Sequence, residues 1–258
     1  MSETDLSPED VARFGPDPQA TFAENLAQIE DRIAAACARA GRLRSDVRLL
    51  PVTKTVPAHV LRLAHAAGIR AFAENKIQEA MGKQERLGDL DVAWSIVGHL
   101  QTNKVKYLTR FAHEFHALDS LRLAEALNSR LEREGRDLDV FVQVNTSGED
   151  SKFGLHPDDL LPFVDLLGRF PRLQPKGLMT LALFSTDMAT VRPCFVRLRE
   201  LRDAALRRHS GLTELSMGMS GDFEEAIAEG ATVVRVGQAI FGKRPTPDAH
   251  YWPGFVGV

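Results

Sequence analysis

The chain has 258 residues, 44% of them hydrophobic and 26% charged, with a net charge of -3 and two cysteines. This is ordinary globular composition, long enough for one (β/α)8 barrel with a large core. Scattered basic residues, near-balanced charge and two cysteines without CxxC or CxxH neighbours give no case for nucleic acid, an anionic membrane, a disulfide framework or zinc.

The opening MSETDLSPED is acidic and has no apolar stretch, so it predicts neither a signal peptide nor a transmembrane segment, and implies a cytoplasmic setting. Gly15, Pro16 and Pro18 among acids mark residues 1–18 as a loose extension before a single domain over residues 19–258. Thr21 and Glu24 offer a capping box to a leading helix with Phe22, Leu26, Ile29 and Ile33 at helical spacing. VRLLPVTKT (47–55) then reads as a strand whose inner face carries Leu50, Val52 and Lys54. Pro57 opens the next helix and Gly68 closes it.

The pattern then repeats through AFAEN (71–75), AWSIVGH (93–99), HEFHALD (113–119), DVFVQVN (139–145), PKGLMTL (175–181), TELSMG (213–218) and TVVRVG (232–237), with helical patterns between them. Strict strand-helix alternation predicts a parallel sheet. Without a GxGxxG after the first strand, the fold class is α/β, a (β/α)8 TIM barrel rather than an open doubly wound sheet. Period two places Phe141, Gln143 and Asn145 inside that barrel.

Active sites of such barrels gather at the carboxyl ends of the strands, with phosphates held after strands seven and eight. Lys54, at the end of the first strand, is either a Schiff-base nucleophile with its amine freed by desolvation or a snorkelling surface lysine. SMGMSGD (216–222) puts Ser220 and Gly221 where a helix N-cap belongs, and RVGQAIFG (235–242) supplies the backbone of Gly237 and Gln238. Together they form a phosphate cradle or plain turn chemistry. Arg235 is predicted to point inward beside Lys54, where it meets a carboxylate or an aromatic ring nitrogen. A lysine, an arginine and a phosphate cradle together describe pyridoxal phosphate. Elsewhere, Lys152 reads as a solvated loop lysine or a second anion contact, and His113 and His116 as structural. Eight histidines without HExxH spacing predict no metal.

The motifs VTK with Lys54, AEN with Asn75, VGHLQTNK (97–104), VNTSGEDSKFG (144–154), GLMTL from Gly177, LSMGMSGD from Leu215 and VRVGQAIFG from Val234 follow in that order. In this the chain resembles the pyridoxal phosphate homeostasis protein family, whose fold is similar to the N-terminal barrel of alanine racemase, here with an extra N-terminal helix. The resemblance implies that Lys54 holds pyridoxal 5'-phosphate as a Schiff base. It also implies that Ser220, Gly237 and Gln238 hold the phosphate, that Arg235 faces the pyridine nitrogen, and that Asn75, His99 and Met217 line the ring. Two positions depart from the family pattern: Ser95 follows Trp94 where a histidine is usual, and Gln238 stands where small or hydroxyl residues are common.

An arginine at the pyridine nitrogen disfavours ring protonation and weakens the cofactor as an electron sink, which argues against an aminotransferase. Racemisation wants a second acid-base group, and the two tyrosines, Tyr107 and Tyr251, fall in a helix and a Pro-rich tail. The expectation is a non-catalytic monomer that buffers pyridoxal phosphate or delivers it to apoenzymes. The alternatives are a pyridoxal phosphate-dependent amino-acid racemase acting as a lone barrel, and a barrel enzyme for another phosphorylated metabolite.

Overall fold

The computed structural model of the protein describes residues 5–149 and 152–244. Eight strands alternate with helices: β1 (Arg48–Pro51), α3 (Ala58–Ala66), β2 (Ala71–Glu74), α4 (Ile77–Arg86), β3 (Ala93–Ile96), α5 (Val105–Leu108), β4 (Glu114–Leu118) and α6 (Leu121–Glu134). The second half runs β5 (Leu138–Gln143), α7 (Leu160–Leu166), β6 (Leu173–Met179), α8 (Met188–Leu206), β7 (Glu214–Ser216), α9 (Phe223–Ala228), β8 (Val233–Val236) and α10 (Gln238–Phe241). The strands are parallel in the order β1-β8-β7-β6-β5-β4-β3-β2. The ring closes where Val52 bridges Ala73, with Thr53 N donating to Ala73 O at 2.9 Å. This is the (β/α)8 barrel that the alternation predicts.

The strands form because parallel barrel strands, covered on both sides, are short runs of branched and aromatic residues. All four residues of β8, VVRV, are buried. Inside the barrel the Phe141 ring stacks on His116 with centroids 4.1 Å apart. Outside it, α2 (Pro18–Arg39) buries Phe22, Ile29, Ile33, Ala36 and Cys37 and packs on α3, α9 and α10. That places it across the seam between β1 and β8. No helix among the described residues is long and apolar enough to cross a membrane.

Two expectations change. β1 ends at Pro51, so Lys54 stands in the turn beyond the strand rather than on its last residue. Residues 1–18 are not a loose extension from Pro8 onward, because α1 (Pro8–Phe14) begins with a Ser7–Asp10 capping box and buries Phe14. The Phe14 ring meets Phe22 edge-on at 6.0 Å, a tertiary contact that a local reading of acids, Pro and Gly does not reveal. Residues 1–4 and the tail from 245, including Tyr251, lie outside the described residues.

Candidate functional site

Lys54 is half-buried in a turn that its neighbours hold from both sides. Val56 N donates to Thr53 O at 3.0 Å, and Thr55 adopts φ 65, the one positive φ among the described non-glycine residues. A left-handed β-branched residue costs about 1–2 kcal/mol, so something must hold it. Thr55 N donates to Glu79 Oε1 at 2.6 Å, and Arg13 donates to Thr55 O at 2.6 Å and to Thr55 Oγ1 at 2.9 Å. On the strand side, Thr53 Oγ1 donates to Glu74 Oε1 at 2.5 Å. The buried Lys83 amine joins the set, donating to Thr53 O at 2.8 Å and to Glu74 Oε1 and Glu79 Oε1 at 2.6 Å each. Burial pushes the Glu74 carboxyl up to about 7 against the opposing pull of the Lys83 charge.

Arg235 comes from β8 into the barrel interior, as its strand parity predicts, and is 4% exposed. It donates to Ser216 Oγ at 2.7 Å and to Thr180 O at 2.8 Å. Burial lowers its pKa to about 10, with Asp222 opposing, so the guanidinium stays charged at neutral pH. With Ser216 Oγ accepting from Arg235, its own proton goes to His116 Nδ1 at 2.9 Å, and His116 Nε2 then donates to Glu114 at 3.0 Å. That tautomer is the neutral imidazole, in keeping with burial driving the His116 pKa down against the pull of Glu114. Arg48 pairs with Glu114 at 2.8 Å and Ser95 Oγ donates to it at 3.1 Å. His116 is therefore structural, and its work is to support the arginine.

Burial alone would raise the Glu114 carboxyl, but the His116 hydrogen bond and the Arg48 charge hold it at about 2, against an ordinary 4.5. An unfolded chain takes up this proton first, so the contribution is complete above pH 4.5 and lost as pH falls toward 2. Glu114→Gln is expected to remove about 3 kcal/mol of the acid-side loss of stability. Denaturant melts across that window check it, and a wild-type pH slope in the variant would contradict it.

A cavity of about 760 Å³ opens at the carboxyl ends of the strands. Lys54, Asn75, His99, Ser220, Arg235, Gly237 and Gln238 all line it. Met217 does not: it is fully buried, and Met219 lines the cavity in its place. Gly218, at φ 94, stands between them and breaks the strand alternation, so the two methionines do not share one face. A Cβ there would stand 2.7 Å from the Ala226 Cβ, so the turn needs glycine. Ser220 Oγ accepts from Gly237 N at 3.3 Å and Ala239 N at 3.4 Å, which gathers a hydroxyl and two backbone donors at one place. The N-cap of α9 is Asp222, whose carboxylate takes the Met219 N–H, rather than Ser220 or Gly221.

On the opposite wall, Gly98 sits against Asn75, where a Cβ would fall 2.1 Å from Asn75 O. His99 is exposed, stacks on Phe153 with centroids 4.0 Å apart, and has Nδ1 3.5 Å from Asp119. Lys152 corrects its reading as a solvated lysine: its side chain is 9% exposed, donates to Ala182 O at 2.8 Å and pairs with Glu149. Among the described lining residues, seven are lysine or arginine and one, Glu149, is acidic. Such a cavity attracts an anion.

The family model described as alanine racemase, N-terminal domain, matches residues 25–245. Proteins named pyridoxal phosphate homeostasis protein from Aquifex aeolicus and Pseudomonas aeruginosa are 42% identical over 222 residues and 44% identical over 224. These matches cover 86% and 87% of this chain and 97% and 96% of the relatives. PipY of Synechococcus elongatus, solved with PLP bound, superposes with a TM-score of 0.75 at 35% identity, over 86% of this chain and 100% of PipY. Alanine racemase from Corynebacterium glutamicum shares the fold, with a TM-score of 0.64 at 16% identity over 88% of this chain and 62% of that one.

Proposed function

The chain belongs to the pyridoxal phosphate homeostasis protein family, and on that footing we propose that it binds pyridoxal 5'-phosphate reversibly through Lys54 and buffers it or delivers it to apoenzymes in the cytoplasm. The observation that carries this reading is a single cationic cavity bringing together Lys54, the buried Arg235 and the Ser220–Gly237–Ala239 donor group. When bound, the cofactor supplies an aldehyde carbon to which an amine adds. The Ser220 hydroxyl and the N–H groups of Gly237 and Ala239 suit a phosphate, and the Gln238 backbone lies between them. Asn75 and His99, which line the cavity, would flank the ring, with Met219 rather than Met217 beside them.

Arg235 also supports a carrier over a catalyst. A guanidinium has five N–H donors, and Ser216 and Thr180 take two of them, leaving donors for a ring nitrogen. A nitrogen facing a permanent cation stays unprotonated, and the bound group is then a weak electron sink. Pyridoxal phosphate added to the purified protein is expected to give a coloured complex that survives gel filtration, with pyridoxal bound about tenfold more weakly or worse for want of the phosphate contacts. No D- or L-amino acid is expected to racemise. A protein that stays colourless would contradict the reading. Turnover that vanishes in Lys54→Ala would make it a racemase instead.

A further inference from the structure

α1 lies outside the residues the family model matches, which begin at residue 25, yet it reaches the site. Arg13, in its last turn, donates to Thr55 O at 2.6 Å, to Thr55 Oγ1 at 2.9 Å and through Nε to Lys243 O at 3.3 Å. One side chain thus ties the turn after β1, which carries Lys54, to the chain just beyond α10, which opens with the Gly237–Gln238 turn. Arg13 and Thr55 themselves line the cavity. The helix has a fixed seat: Phe14 meets Phe22, Phe22 meets Phe241 at 5.3 Å, and Asp10 pairs with His59 of α3 at 2.9 Å.

Thr55 is what gives the contact a consequence. Its φ of 65 is a conformation that a β-branched residue leaves unless its surroundings fix it. Glu79 takes the N–H of this residue and Arg13 takes its C=O, so the pair defines the turn from both faces. Without Arg13 the turn relaxes, and Lys54, the preceding residue, loses its fixed place in the cavity that Ser220 and Gly237 also line.

We propose that Arg13 is a positioning residue that latches the Lys54 turn to the cradle side of the barrel and so slows release of the cofactor. This rests on the reading of Lys54 given above. It assigns to α1 a role in retention that the family-matched part of the chain does not supply.

The test uses the full-length protein loaded with pyridoxal phosphate. Release is followed by loss of visible absorbance after dilution, and borohydride trapping with peptide mapping is run in parallel. Arg13→Gln is expected to release about tenfold faster, the scale of losing charge-assisted hydrogen bonds, while still trapping on Lys54. Arg13→Lys, with the charge but not the fork, is expected to fall between the two, and it reads the effect alone if Arg13→Gln does not fold. Adding Thr55→Asn to Arg13→Gln is expected to recover part of the slow release, because asparagine tolerates the left-handed conformation; a purely structural arginine would show no such rescue. Wild-type release rates in the arginine variants, with Lys54 still trapped, would overturn the latch and leave the proposed function standing. Absence of any trapped adduct on Lys54 in the wild type would overturn both.

Discussion

Lys83→Met is expected to lower folding stability by about 3–5 kcal/mol, the cost of removing one partner from a buried ion pair. Lys83 and Glu74 are almost fully buried, and the amine serves Thr53 O and both carboxylates. Taking it away leaves Glu74 and Glu79 facing each other and the Thr53 carbonyl with only the Val56 N–H, while Glu74 Oε2 already has no partner among the described residues. The sign of the pH dependence follows from the Glu74 carboxyl, raised to about 7 by burial even with Lys83 present. Without the ammonium it moves higher still, so the variant's folded state binds the proton more tightly than wild type. The deficit is therefore smallest well below pH 7, where Glu74 is neutral, and grows as pH rises through that value. Glu74→Gln in the same chain is expected to return part of the loss, a coupling that urea melts of the single and double variants measure. A loss under about 1 kcal/mol, or one independent of pH, would contradict this account of the cluster.

Lys54→Ala is expected to weaken retention of pyridoxal phosphate by about a hundredfold or more, some 3 kcal/mol, while leaving the fold intact. Lys54 is half-buried in a turn whose shape is set by Thr53, Thr55, Glu79 and Arg13, and truncating it empties space that belongs to the cavity rather than the core. Stability is then expected to change by about 1 kcal/mol or less. The Ser220 hydroxyl, the two backbone N–H groups and Arg235 remain, so the variant still binds a phosphate ligand, weakly and without the borohydride-stable link. Equilibrium dialysis of the two proteins measures the difference. Equal retention would show that the lysine makes no bond to the ligand.

The barrel was legible because each parallel strand is a short apolar run closed by helices, and period two set Arg235 of VVRV on the face of Val233 and Gly237, turned to the interior. Lys54, Ser220, Gly237 and Gln238 stood out because barrel chemistry lies at the carboxyl ends of strands, Asn75 and His99 came only with the family resemblance, and all six line the cavity. What stayed hidden depends on contacts distant in the chain. Glu79 and Lys83 are spaced i, i+4 in a polar helix and carry no local mark of burial, and only the fold sets Glu74 beside them. The packing of α1 depends on Phe14 meeting Phe22, inside a segment whose composition is that of a loop. Met217, which the resemblance placed at the ring, is buried while Met219 lines the cavity, because the chain turns at Gly218 with a φ that no strand pattern announces. Lys152 looked solvated because nothing nearby in sequence announces the Ala182 carbonyl that it reaches.

The proposed function requires a covalent, reversible bond between Lys54 and pyridoxal phosphate. Its most direct test is the mass of the wild-type protein after incubation with the cofactor, with and without borohydride, followed by a peptide map. One reduced pyridoxyl group on the peptide carrying Lys54, absent from Lys54→Ala, is the predicted result, with the unreduced adduct lost on gel filtration in excess amine when borohydride is omitted. An unmodified Lys54, or an adduct spread over the surface lysines, would contradict it.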